Sequence, residues 1–125
     1  LHTESLRTPQ LHSKYIQFFN NERKLLKKLR IDLKSLYLLK YEYYTGVMDI
    51  EDIREKGWEP LHKKILKSDA DKYIEADKDY MDLNLRIVLA EEKVEALESI
   101  LKTINNRGFA IKNAIDWMKF SSGEY

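Results

Sequence analysis

The chain has 125 residues, 43% of them apolar, with 22 basic and 21 acidic side chains, 4 glycines, 2 prolines and no cysteine. That apolar content argues against wholesale disorder, and the scarcity of Gly and Pro favours long helices over a turn-rich β fold. The lack of Cys excludes disulfides, thiolate nucleophiles and Cys-based zinc sites, no apolar run reaches the roughly 20 residues of a membrane span, and a net charge of +1 selects no partner by itself.

The first ten residues mix charge and polarity, unlike a signal peptide, and because the chain opens with Leu rather than Met a preceding stretch is expected. Thr8-Pro9 reads as a helix cap followed by Pro at the first helical position, and Gly46 as the residue that ends the same helix. The predicted helix, 9–45, is roughly 50 Å long at about 1.5 Å per residue. Its apolar stripe is Leu11, Tyr15, Phe18, Leu25, Leu29, Leu33, Leu36 and Tyr43, in steps of three, four and seven.

Charge is divided unevenly along the chain. Residues 9–44 hold eight basic and three acidic side chains, a net +5, whereas residues 49–98 hold nine basic and fifteen acidic, a net −6. Such polarity gives one region for an anion and another that repels it. Arg23, Lys27, Arg30 and Lys34, spaced four, three and four, share one face of the first helix, with Lys24 and Lys28 beside it. Two readings are open: a row that follows a phosphate backbone, or a solvated helix face. Lys40 falls in the apolar stripe, four residues after Leu36, next to Tyr41-Glu42-Tyr43-Tyr44. Basic charge among aromatic rings suits single-stranded nucleic acid, which offers both phosphates and base faces. The other reading is a lysine that snorkels while tyrosines close the end of a core.

Residues 46–68 read as a connector, with a short helix over 49–55 closed by Gly57 and another turn starting near Pro60. Ser68, Asp69 and Asp71 then mark a helix start, because a hydroxyl caps and acids suit the first turn. The helix predicted for 69–105 has Tyr73, Tyr80, Ile87, Val94 and Leu101 at seven-residue intervals, and Ala76, Leu83, Ala90, Leu97 and Ile104 three residues further on. These are the a and d positions of a coiled-coil seam, which needs a partner helix. The first long helix is the economical one, giving an antiparallel hairpin; pairing between subunits stays open. Asn105-Asn106-Arg107-Gly108 reads as an interruption, followed by a short terminal helix, 108–121. Phe109, Ile111, Ile115, Trp117, Met118 and Phe120 spread apolar surface around most of that helix, which one packing face cannot satisfy, so it plugs a core or docks on another subunit. The expected fold is a single all-α domain over 1–125, two long helices in a hairpin or coiled coil plus a short C-terminal helix.

Catalytic chemistry finds no support. A calcium loop beginning at Asp69 would need Gly at 74 and Glu at 80, where Ile74 and Tyr80 stand; His2, His12 and His62 form no metal or triad spacing; no Gly-rich loop could cradle a nucleotide. No metal site, cofactor or enzymatic activity is expected.

The C-terminal run Arg107-Gly108-Phe109-Ala110-Ile111-Lys112-Asn113-Ala114-Ile115-Asp116-Trp117-Met118-Lys119-Phe120 resembles the UvsY recombination mediator family of large tailed phages. The Leu36–Gly46 segment, ending Lys-Tyr-Glu-Tyr-Tyr-Thr-Gly, is similar to the family's basic-aromatic motif, and Ser68-Asp69-Ala70-Asp71 and Ala76-Asp77-Lys78-Asp79 follow in the same order. The resemblance covers nearly all of the chain from about residue 11. It implies a homo-oligomeric ring, of six or seven copies, that binds single-stranded DNA through its N-terminal part and assembles through its C-terminal helix. It also implies that the ring loads a RecA-like recombinase onto DNA coated by a single-strand-binding protein, in the cytoplasm of the infected host cell. The motif often carries two basic residues two apart; here Lys40 stands alone, with Leu38 in the other place. The DNA-binding set implied is therefore Lys40, Lys34, Arg30, Lys27, Lys28 and Arg23 with Tyr41 and Tyr44, and the oligomerisation set is the six apolar residues of the tail. The alternative is a structural coiled-coil adaptor without DNA binding, which would have no use for the basic row.

Overall fold

A computed structural model describes residues 2–122; Leu1 and residues 123–125 lie outside the described part. All regular structure among the described residues is helical: α1 (His2–Thr45), α2 (Ile50–Glu55), a 3₁₀ turn (Lys67–Asp69), α3 (Ala70–Glu75) and α4 (Lys78–Ser122). None of these helices is long and apolar enough to cross a membrane.

The all-α expectation holds, with three corrections to its boundaries. The first helix does not start at Pro9. It starts at His2 and runs through Pro9, whose ring removes one N–H donor from the ladder without ending the helix. The second long helix does not start at residue 69: the chain breaks at Ala76-Asp77, so 70–75 and 78–122 are separate helices. Nor does Asn105-Asn106-Arg107-Gly108 interrupt anything. α4 is helical throughout that run, and the residues expected to form a separate terminal helix are its last turns.

Two turns close in the same way. At the end of α1, Gly46 takes φ 79°, the Val47 N–H donates to the Glu42 carbonyl at 2.9 Å and the Gly46 N–H donates to that of Tyr43 at 3.3 Å. At the end of α2, Gly57 takes φ 74°, Trp58 donates to Ile53 at 3.1 Å and Gly57 donates to Arg54 at 3.0 Å. Each pair of bonds satisfies carbonyls that a helix end would otherwise leave open, and the left-handed turn residue favours glycine. Pro60 starts no helical turn; residues 58–66 have no regular structure.

The chain divides into two compact units, Leu26–Leu89 and the combination of Leu1–Leu25 with Ala90–Tyr125. In the Leu26–Leu89 unit the buried apolar residues are Leu26, Leu29, Tyr43, Ile53, Ala70, Ile74 and Ile87. Here α1 advances while its partners recede: Tyr37 meets Tyr80, Lys40 meets Asp79 and Tyr44 meets Asp77. In the other unit Ala90, Leu101, Ile104 and Ile111 are buried, and Glu22 of α1 pairs with Lys93 of α4 at 3.2 Å. Phe18, Asn21, Glu22, Lys93 and Leu97 line a hollow of about 340 Å³ there.

The seven-residue seam survives from Tyr80 onward. Tyr80, Leu83, Ile87, Ala90, Val94, Leu97, Leu101 and Ile104 are all buried or half-buried, and Gly108, Ile111 and Ile115 extend the pattern. Before Asp77 it fails. Tyr73 and Ala76 are exposed, while Ala70 and Ile74 are fully buried, because 70–75 is a separate short helix with its own phase. The α1 stripe shifts similarly: Leu26 is buried, whereas Leu25 and Phe18 are exposed.

Candidate nucleic-acid interface

The basic row is built by the 3.6-residue period of α1, which brings every third or fourth side chain back to one face. Arg23, Lys27, Arg30 and Lys34 are all exposed, as are Lys24 and Lys28. Lys28 reaches Asp32 one turn on at 4.0 Å, a loose pair with its ammonium 75% exposed, and Arg23 lies 5.5 Å from the Phe19 ring centre. Such exposed contacts hold cations weakly, so the row keeps its capacity for an external anion.

Continuing the same three-and-four spacing, Lys27, Arg30 and Lys34 are followed by Tyr37 and Tyr41. These two half-buried rings stack with centres 6.4 Å apart, and Tyr37 also tilts against Tyr80 at 6.3 Å. The Tyr37 hydroxyl donates to the Asp71 carboxylate. A cationic row that ends in stacked rings can engage phosphates along its length and a base at its end. Tyr37 was not among the residues singled out in the sequence; its position three residues after Lys34 was the available signal.

Lys40 is placed quite differently. It is 3% exposed, with its Nζ 3.1 Å from Asp77 Oδ2 and 2.9 Å from Asp79 Oδ2. The ammonium also sits 3.7 Å from the Trp58 ring centre and 5.5 Å from that of Tyr43. Two carboxylates and an indole enclose it, so a phosphate reaches it only by displacing them. The residue expected from the sequence to contact DNA is thus a buried cation with acidic partners, as its position in the apolar stripe dictates.

Asp77 is the hub of that cluster. Its Oδ1 accepts the Tyr80 N–H at 3.1 Å, capping the first turn of α4, while its Oδ2 accepts the Tyr44 hydroxyl at 2.6 Å and the Lys40 ammonium. Burial alone would raise the Asp77 pKa, but the bonds from Tyr44, Tyr80 and Lys40 together outweigh it and hold the carboxyl below its ordinary value. Tyr44, also expected to meet DNA, is half-buried, and burial followed by its bond to Asp77 pushes its hydroxyl well up. Tyr43 is raised by burial, partly offset by Lys40, and its hydroxyl donates to the Glu59 carbonyl at 2.5 Å. The Tyr37 hydroxyl is pushed up to about 12, chiefly by its bond to Asp71.

These tyrosines give a pH test. In an absorbance titration of the folded protein, Tyr37 and Tyr44 are expected to ionise well above the ordinary value of 10, and Asp71→Asn should bring Tyr37 back down. Since the folded-state pKa of Tyr44 is raised, the stability it contributes is complete below pH 10 and is lost as pH rises beyond it. Tyrosines that all titrate together near 10 would mean that these hydrogen bonds do not form in solution.

The tail presents two apolar faces. Ile111 is buried and Ile115 half-buried on the packed side. Phe109, Trp117, Met118 and Phe120 stay 56–67% exposed, with the Trp117 and Phe120 rings stacked at 5.7 Å. No group of His, Cys, Asp or Glu among the described residues could hold a metal ion.

The family model for "Recombination, repair and ssDNA binding protein UvsY" matches residues 1–124. The chain belongs to the UvsY family. No curated protein and no solved structure matches it significantly. The UvsY match agrees with the resemblance read from the basic-aromatic segment and the C-terminal run, and it places the chain among recombination and repair proteins that bind single-stranded DNA.

Proposed function

We propose that this chain is a recombination mediator that binds single-stranded DNA as a homo-oligomeric ring and loads a RecA-like recombinase onto DNA coated by a single-strand-binding protein. The observation that carries the DNA-binding part is the exposed row Arg23, Lys27, Lys28, Arg30 and Lys34 on α1, ending at the ring of Tyr41. Lysine and arginine at helical spacing neutralise successive phosphates, and each contact releases counterions. Tyr41 supplies a base-stacking surface, whereas Lys40 and Tyr44 act indirectly, by fixing the end of α1 that carries it.

The two long helices form an antiparallel hairpin, and copies join through the open apolar face at the end of α4. Exposed aromatic clusters of this kind are characteristic of protein interfaces. A ring repeats a modest basic row several times, so weak contacts with one strand multiply into avidity. Wrapping the strand loosens the coat protein and offers the recombinase a starting point in the cytoplasm of the infected host cell.

Light scattering with and without oligo-dT tests this reading on the intact chain and on a Phe109→Ser/Trp117→Ser variant. The intact chain is expected to form one discrete multi-subunit species that binds the oligonucleotide. The variant should fall to smaller species and lose about 10²-fold or more in affinity, as multivalency disappears. A variant that assembles and binds normally would defeat the proposed role of the tail.

A further inference from the structure

The segment His62-Lys63-Lys64-Ile65-Leu66-Lys67 is the densest basic run outside α1; it is a local exception within the net acidic stretch 49–98, with three lysines and no acid. It has no regular structure up to Leu66 but is firmly tied down. The Ile65 N–H donates to the Tyr44 carbonyl at 3.0 Å, and the Lys64 stem lies against Gly46, so close that a Cβ added at Gly46 would come within 2.7–2.8 Å of it. This anchoring displays the lysines at the end of α1 rather than on a free loop.

Lys63, Lys64, Ile65, Leu66, Asp69 and Tyr73 line an open cavity of about 590 Å³. Lys63, Lys64 and Lys67 are exposed, and none of them forms an ion pair among the described residues. Tyr73 is 47% exposed although it occupies a position that the seven-residue pattern assigns to the seam, and its ring is backed by Tyr44 at 6.0 Å. The break at Ala76-Asp77 is what releases this tyrosine to the surface.

We infer that this cavity is a second contact for single-stranded nucleic acid, separate from the row on α1, with Lys63 and Lys64 on phosphates and the Tyr73 ring under a base. The inference rests on the DNA-binding reading above and names where else the strand is held. Unpaired cations beside an exposed, supported aromatic ring are the combination that a phosphate chain with unstacked bases requires. An acidic peptide would use the lysines and the apolar wall but would leave the ring without its stacking partner.

The test uses the full chain, with oligo-dT carrying 5-iododeoxyuridine for photocrosslinking and fluorescence anisotropy at several salt concentrations. Tyr73 is expected among the crosslinked residues. Lys63→Ala/Lys64→Ala should flatten the slope of log K against log salt by about 1.4, for two phosphate contacts on a single strand. Tyr73→Leu should weaken binding about tenfold with the slope unchanged. If both variants bind as the parent does while loss of Lys27 and Lys34 weakens binding, the second contact is overturned and the α1 row stands. If the parent itself fails to bind, the DNA-binding reading falls and this inference with it. Should a Glu/Phe-rich peptide bind, with Lys63→Ala/Lys64→Ala blocking it but leaving oligo-dT binding intact, the cavity is a peptide site and the inference is likewise overturned.

Discussion

Replacing Lys40 by alanine is expected to destabilise the fold by about 3–5 kcal/mol, the cost of leaving a buried charge without its partner. Lys40 and Asp77 are 3% and 8% exposed at their side chains, so water cannot take the place of either. Removing the ammonium also weakens the cap of α4, because the Asp77 carboxylate that accepts the Tyr80 N–H is then more readily protonated. The sign with pH follows. Asp77 has a depressed folded-state pKa, so its stabilising contribution is present above the ordinary carboxylate value and is lost as pH falls through the folded value. Lys40→Ala removes two of the influences that depress it, and acid unfolding should therefore move to higher pH. Urea melts of parent and variant between pH 3 and pH 7 read both effects, with the range of about 4 units spanning the carboxylate titration. A Lys40→Ala protein as stable as its parent would mean that the cluster does not hold the end of α1. Any loss of DNA binding in this variant must be read against its loss of structure.

The second large effect concerns DNA directly. Lys27→Ala/Arg30→Ala/Lys34→Ala changes three exposed residues on one face of α1 and is expected to leave the melt nearly unchanged. Binding to oligo-dT should fall by about tenfold or more, and the salt slope should flatten by about 2, for three single-strand phosphate contacts. Anisotropy titrations at three or more salt concentrations give the slope directly. An unchanged slope would move the phosphate contacts off α1. The contrast with Lys40→Ala separates the two classes of lysine, since one variant is hurt in folding and the other in binding.

Much of this division is legible in the sequence, and the limits have physical causes. Helical period is a local property, so the basic row, the seam from Tyr80 to Ile104 and the position of Lys40 within the apolar stripe were all legible. Gly46 and Gly57 were legible as helix ends because the left-handed turn nearly demands glycine. The carboxylates that meet Lys40 lie 37 and 39 residues further along the chain, and pairs so distant leave no periodic trace. The break at Ala76-Asp77 was hidden because Tyr73 and Ala76 happen to continue the heptad spacing. Asp77 followed by Asp79 was the counter-signal, a capping acid with another in the first turn. Pro9 and Asn105-Asn106-Arg107-Gly108 misled in the opposite direction: both are locally poor for a helix, and both are carried within one by the surrounding turns.

That last run has its own consequence. Glycine within a helix is about 1 kcal/mol less favourable than alanine, and asparagine is also a weak helix former. α4 nevertheless stays wound through Asn105, Asn106, Arg107 and Gly108, with only Gly108 among them even half-covered. Backbone amides there should trade hydrogen for deuterium sooner than those around Leu101 or Ile111, making this the helix's intrinsic fray point in mid-length.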